Sequence, residues 1–186
     1  MVRDNITKEM IHYSEEKFAD LQLLRYELKG FDGLSARQKA LVYYLSEATL
    51  SGRDITFDQF GKYNLRIRKM LEAVYLYYRE KYQDESFRAL EIYLKRIWFS
   101  NGIYHHYSCD KIKPEFEASY LGELIDNMPS DALPLQENET REAWKAEIFP
   151  VIFDATVLPK RVNKDAGEDL ITTSACNFYE GVTQQE

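Results

Sequence analysis

Residues 101–114, NGIYHHYSCDKIKP, are the densest run of chemically active side chains in the sequence: Asn, two His, two Tyr, Cys, Asp and two Lys. Imidazole with thiolate or carboxylate is metal-ligand chemistry, and His106 with Cys109 or Asp110 could begin such a site. A catalytic zinc normally needs three protein ligands, and the sequence supplies no evident third. The same loop read plainly is a set of solvated polar groups with a Tyr or two in the core. Between these lies a third reading, the lining of a substrate cleft, since loops on rigid scaffolds often carry binding groups.

The other chemical signatures are missing. His12, His105 and His106 are the only histidines, and none forms the paired-histidine helix of zinc peptidases. Nucleotide-binding glycine loops and a G-x-S-x-G elbow do not occur. The acids of EEKFAD, residues 15–20, read as a solvated helix start favoured by the helix dipole. No residue is therefore assigned a catalytic or metal-binding role.

The elements that would position the 101–114 loop are mainly helical. Phe18, Leu21, Leu24, Tyr26 and Leu28 predict a helix over 14–28 that Gly30 stops. Ser35 with Gln38 is a capping-box pattern opening a second helix to about Ser51, with Leu34, Leu41, Tyr44, Leu45 and Ala48 inward. Leu65, Met70, Leu71, Val74, Tyr75, Tyr78 and Tyr82 define a third over 64–82. A fourth, over 85–100, presents Phe87, Leu90, Tyr93, Leu94, Ile97 and Trp98, and Asn101-Gly102 ends it with a left-handed stop. Further helices fall near 115–127 and 139–147, joined by the proline-bearing loop 129–139.

From residue 148 the pattern changes. IFPVIFDATVLP, residues 148–159, is β-branched and aromatic, and 169–174 reads as a second short strand. Thr183 to Glu186 carries another capping-box pattern, which predicts a helix that continues past the end of the sequence. The expected fold class is α+β, predominantly helical: several packed helices in residues 1–147, then the start of a β-containing part in 148–186, cut short.

Length and charge set the function classes. A chain of 186 residues with 45% hydrophobic and 30% charged residues can bury one sizeable core. Its net charge of -7 opposes nucleic acid as a partner. Two distant cysteines, Cys109 and Cys176, suit a reducing compartment better than a disulfide framework. Residues 1–30 form neither a signal peptide nor a membrane span, so the expectation is a cytoplasmic protein without a membrane partner. A leader ahead of Met1 would change that address. Most of the 14 tyrosines, Tyr75, Tyr78 and Tyr82 among them, are expected in the core rather than in peptide or sugar recognition.

FADLQLLRYEL (18–28), SGRDITFDQFGKYNLRIRKMLEAVY (51–75), YLKRIWFSNGIYHHY (93–107) and TTSACNFYEGVT (172–183) together resemble the N-terminal region of bacterial dipeptidyl peptidase III. The resemblance runs in order along nearly the whole chain. It implies one lobe of a two-lobed zinc exopeptidase that releases dipeptides from the free N-terminus of oligopeptides across a wide cleft. In that family zinc is held by His-Glu-x-x-Gly-His and Glu-Glu-x-x-Ala-Glu/Asp motifs of the later lobe. This chain carries neither zinc helix, so no cofactor is expected in it and zinc is expected in the full-length enzyme. Glu15, Glu16, Ala19 and Asp20 spell the second pattern but stand ahead of segments that precede both motifs in the family.

The family's cleft-side Lys-Ser-Phe or His-His-Tyr stretch falls on His105, His106 and Tyr107, and its lysine on Lys111. With Asn101 these make the expected substrate-binding set. Ser108 stands where the family usually has glycine. The implied partners are an oligopeptide and the remaining lobe of the same polypeptide, with this part supplying scaffold and one wall of the cleft and inactive alone. The alternative is a non-catalytic helical module that binds peptide or protein.

Overall fold

The computed structural model describes residues 14–176 and 178–186. The chain divides into two compact units, residues 1–50 and 51–186.

In the first unit, the expected helix over 14–28 is instead a hairpin. Strand β1 (Ser14–Phe18) pairs antiparallel with β2 (Leu21–Leu24), placing Lys17 opposite Gln22 and Phe18 opposite Leu21. Ala19 turns the chain at φ 48, and Arg25 pairs with Glu15 at 2.6 Å. Leu24, Tyr26 and Leu28 step by two residues as well as they fit a helix, and the tight turn decides for the strand period. Helix α1 (Ala36–Ser51) does begin at the capping box, where the Ser35 N–H donates to Gln38 Oε1 at 2.9 Å. Its expected inward face is not buried: Leu41, Tyr44 and Leu45 are exposed. Five consecutive apolar residues, 41–45, spread around every side of a helix at about 100° per residue, so no single face gathers them.

The second unit holds the core. Helix α2 (Arg53–Phe60) packs on α3 (Asn64–Tyr78), and α3 packs on α4 (Glu85–Ser100). The sequence pattern assigns no element to 53–60, where α2 buries Phe57 alone. Ile67, Met70, Leu71 and Val74 of α3 meet Leu90, Leu94 and Ile97 of α4, each stripe at the three- and four-residue steps that put side chains on one face. Asp84 caps α4 by accepting the Phe87 N–H at 3.0 Å. Tyr82 and Trp98, expected inward, are 39% and 41% exposed. The Trp98 indole N–H reaches outward to Glu72 at 2.7 Å, because an indole donor needs a partner that the apolar core lacks. Arg68 is buried among these helices, its guanidinium 4.5 Å from the Phe57 ring centroid and 2.6 Å from Asp54. Its hydrogen bond is the main reason the Asp54 carboxyl is held below the usual range.

Helix α5 (Ala118–Asp126) packs on α6 (Arg141–Phe153). The strand expected over 148–159 does not form; its first half is the second half of α6. Thr140 opens that helix by accepting the Ala143 N–H at 3.1 Å. Trp144, Ile148, Val151 and Ile152 are buried at helical spacing, so burial along one face overrides the β preference of these residue types. Pro150 sits inside the helix, and its carbonyl still accepts the Asp154 N–H at 3.0 Å.

The strand expected over 169–174 is also corrected. Asp169 Oδ1 accepts the N–H groups of Ile171 and Thr172 at 3.0 and 2.9 Å, and this side-chain turn competes with extended backbone. At the end, the Thr183 N–H donates to Glu186 Oε2 at 3.0 Å, half of the expected capping box. Among the described residues, no helix is long and apolar enough to cross a membrane.

Candidate functional site

The left-handed stop of α4 delivers the chain into the 101–114 loop. Asn101 at φ 55 and Gly102 at φ 148 close the helix, and the Gly102 N–H returns to the Ile97 carbonyl at 3.1 Å. The buried Asn64 side chain then catches the loop: its Oδ1 accepts the Ile103 N–H at 3.2 Å. The space for that carboxamide exists because two glycines flank it. A Cβ on Gly102 would lie 2.3 Å from Asn64 Nδ2, and one on Gly61 would lie 2.8 Å away.

Beyond this anchor the loop folds back as a small hairpin. Tyr104 pairs with Lys111, the His105 N–H donates to the Asp110 carbonyl at 2.8 Å, and the Ile112 N–H donates to the Ile103 carbonyl at 2.8 Å. Residues 159–161 extend it, with Asp110 opposite Lys160 and the Arg161 N–H on the Cys109 carbonyl at 2.8 Å. Tyr104 is buried beneath, donating its hydroxyl to the Leu158 carbonyl at 3.0 Å, and burial pushes its phenol up. The hairpin is thus rooted in the core and projects its tip.

The tip carries most of the expected site. His105 Nδ1 accepts the N–H groups of Tyr107 and Ser108 at 3.3 and 3.2 Å. The His106 ring lies 4.4 Å from the His105 ring, 4.4 Å from the Tyr107 ring, and edge-on to Phe99 at 4.9 Å. Tyr107 is 85% exposed and outside the core. Positive φ falls on Cys109, at 65°, one residue beyond Ser108. Such an angle resists a β-carbon, and the hairpin's hydrogen bonds hold it in place.

Asn101 and Lys111 are held differently. Asn101 is half-buried at the helix stop. Lys111 turns its ammonium to the backbone, donating to the Asp154 carbonyl at 2.8 Å and to the Val157 carbonyl. Burial lowers its pKa to about 8, opposed by the Asp154 carboxylate. His12 lies outside the described residues, so the tip histidines are the two that can be placed. Among the described residues no three His, Cys, Asp or Glu side chains converge as metal ligands.

Three residues that the sequence alone does not assign to the site complete its surroundings. Asn64 anchors the loop. Arg161 places its guanidinium 4.3 Å from the Phe60 ring centroid and donates to the Cys109 sulfur at 3.4 Å. Cys176 follows on the next rung, its N–H on the Arg161 carbonyl at 3.2 Å, with burial raising its thiol pKa against the pull of Arg161. Beside it opens a cavity of about 260 Å³ walled by Val162, Leu170, Ile171, Phe178 and Tyr179. The pair Gly61 and Gly102 was the one sequence signal for the anchor, since glycine marks places where another group comes close.

Comparison with protein-family models and with curated proteins returned no match to this chain. The resemblance to dipeptidyl peptidase III accordingly rests on the sequence segments themselves.

Two outcomes follow from this geometry. Gly102→Ala combines a disfavoured φ with a clash against Asn64 and should destabilise the chain by about 2–4 kcal/mol, whereas Gly33→Ala, with open space around it, should change stability by less than about 0.5 kcal/mol. Urea midpoints measure both. The second concerns pH. The folded chain holds the Lys111 proton less tightly than the unfolded chain, so the Lys111 contribution to stability rises with pH from about 8 towards about 10, while the raised Cys176 thiol pKa works in the opposite direction in both the native chain and a Lys111 variant. Comparing urea midpoints at about pH 7.5 and about pH 9.5 should show a more positive change in the native chain than in Lys111→Met.

Proposed function

We propose that this chain is the N-terminal portion of a dipeptidyl peptidase III-like zinc exopeptidase, and that it supplies scaffold and one wall of the cleft that receives an oligopeptide. The observation that carries the reading is the placement of YLKRIWFSNGIYHHY: its helix is packed in the core while its last residue, Tyr107, stands out on a hairpin tip beside the half-buried His105 and His106. An exposed tyrosine beside two imidazoles offers flat apolar faces and polar edges together, which suits the side chains and backbone of a bound peptide.

In this role each residue has a limited task. Tyr107 packs against the peptide, and His106, braced by Phe99, supports its ring. His105 fixes the backbone of the tip through its two accepted hydrogen bonds. Asn101 sets the exit angle of the loop, and Lys111 ties the hairpin to the end of α6. On this reading zinc and the general base would be held by the remaining lobe, where the metal would supply Lewis-acid chemistry at the scissile carbonyl and to a water.

The test is titration of the chain with an oligopeptide bearing a free N-terminus, followed residue by residue by NMR. The expected result is saturable shifts centred on 105–107, lost in Tyr107→Ala with the urea midpoint nearly unchanged. A loss of about 3–5 kcal/mol in Tyr107→Ala would instead mark a core ring, and peptide shifts that spare 105–107 would remove the cleft assignment.

A further inference from the structure

Helix α1 has almost nothing packed on it. Every residue of it but the half-buried Lys39 is exposed, Leu41 at 58% and Tyr44 at 69%. Its sides differ in chemistry. At about 100° per residue, Arg37, Ala40, Leu41, Tyr44, Glu47 and Ala48 fall within about 60° of one line along the helix, flanked by Tyr43 and Leu45. The opposite side is mainly polar. Ser46 and Thr49 return their hydroxyls there to the Val42 and Leu45 carbonyls at 2.9 and 2.8 Å, and Lys39 donates to the Asp32 carbonyl at 3.3 Å. The first face is therefore apolar in its middle, with small residues beside large ones, cationic at its N-terminal end and anionic towards its C-terminal end.

We infer that this face is the contact between two copies of the chain, paired through α1 as antiparallel helices about a two-fold axis at the level of Val42. Arg37 and Glu47 stand about 15 Å apart along the helix, with Val42 midway between them. An axis at that level sets Arg37 of each copy opposite Glu47 of the other, so both ion pairs form at once, as a self-complementary contact requires. The same register lays the Tyr44 ring of each copy over Ala40 of the other, a large side chain against a small one, with the two Leu41 side chains close to the axis. Charge also fixes the direction and the kind of partner. Arg37 in the first turn and Glu47 near the last oppose the dipole of their own helix, and each suits the end of an antiparallel neighbour that lies beside it. A parallel pair would set Arg37 against Arg37 and Glu47 against Glu47. A uniformly acidic or basic partner would be repelled at one end, whereas a second copy matches both.

This surface is separate from the peptide cleft and does not rest on that reading. The test is sedimentation velocity of the whole chain from about 1 to about 300 µM, the range suited to one helix pair, which is smaller than a standard interface. Expected is a monomer–dimer equilibrium with its midpoint in that range. Arg37→Glu and Glu47→Arg should each weaken it about tenfold, because either change sets like charges together at both ends of the contact. Tyr44→Ser, which leaves the charges alone, should weaken it as well. Mixing the two charge variants, or combining both changes in one chain, should restore the dimer, since opposite charges then meet again at both ends. Far-UV circular dichroism should be the same in all of these chains, because the altered side chains are exposed. A chain that stays monomeric up to about 300 µM, association that runs past the dimer, or a dimer that ignores the charge changes or is not restored by the mixture would overturn the inference.

Discussion

The carboxamide of Asn64 is the point on which the candidate site hangs. It is 1% exposed, at the first residue of α3, and its Oδ1 receives the first N–H of the site loop that leaves the α4 stop. A buried backbone donor without an acceptor costs about 1–3 kcal/mol, so this single bond decides whether the loop can lie against the core at that place. Gly61 and Gly102 matter because they leave room for it. From there the order of events is mechanical: the Ile103 carbonyl receives Ile112, the hairpin closes, residues 159–161 join its edge, and the tip with Tyr107 is pushed out.

The same anchor explains why a loop can carry exposed aromatics without collapsing onto the core. Ile103, Tyr104 and Ile112 are buried at the root and act as apolar feet. The Lys111 ammonium, bound to carbonyls past the end of α6, ties the second strand of the hairpin to a different helix from the one that delivers the first. The tip therefore stands on α3, α4 and α6 together. In the proposed role this rigidity holds Tyr107 and His106 ready for a peptide, which lowers the ordering cost of binding.

The long helices were legible because their apolar residues recur with one period and their ends carry caps. Asp84 before Phe87, and Asn101-Gly102 after Ser100, mark α4 with local chemistry that packing does not override. The hairpin at 14–24 was not legible, since Phe18, Leu21, Leu24, Tyr26 and Leu28 fit both periods and only the turn at Ala19 separates them. The second half of α6 was misread for the opposite reason: Ile148, Val151 and Ile152 are strand formers by type, and only their common burial with Trp144 shows that position outweighs type. In the site, the loop's polar residues could be read directly. Asn64, Arg161 and Cys176 could not, because what brings them to the loop is hydrogen bonding between segments far apart in sequence.

Native-state hydrogen exchange at the Ile103 amide, in the unaltered chain and in Asn64→Ala, tests this account most directly. With the anchor in place, Ile103 should exchange as slowly as the core amides of α3 and α4. With it removed, Ile103 and Ile112 should lose protection together while Met70, Leu71 and Leu94 keep theirs. Retained protection at Ile103 in Asn64→Ala would show that the loop is held without the carboxamide, and would contradict the account.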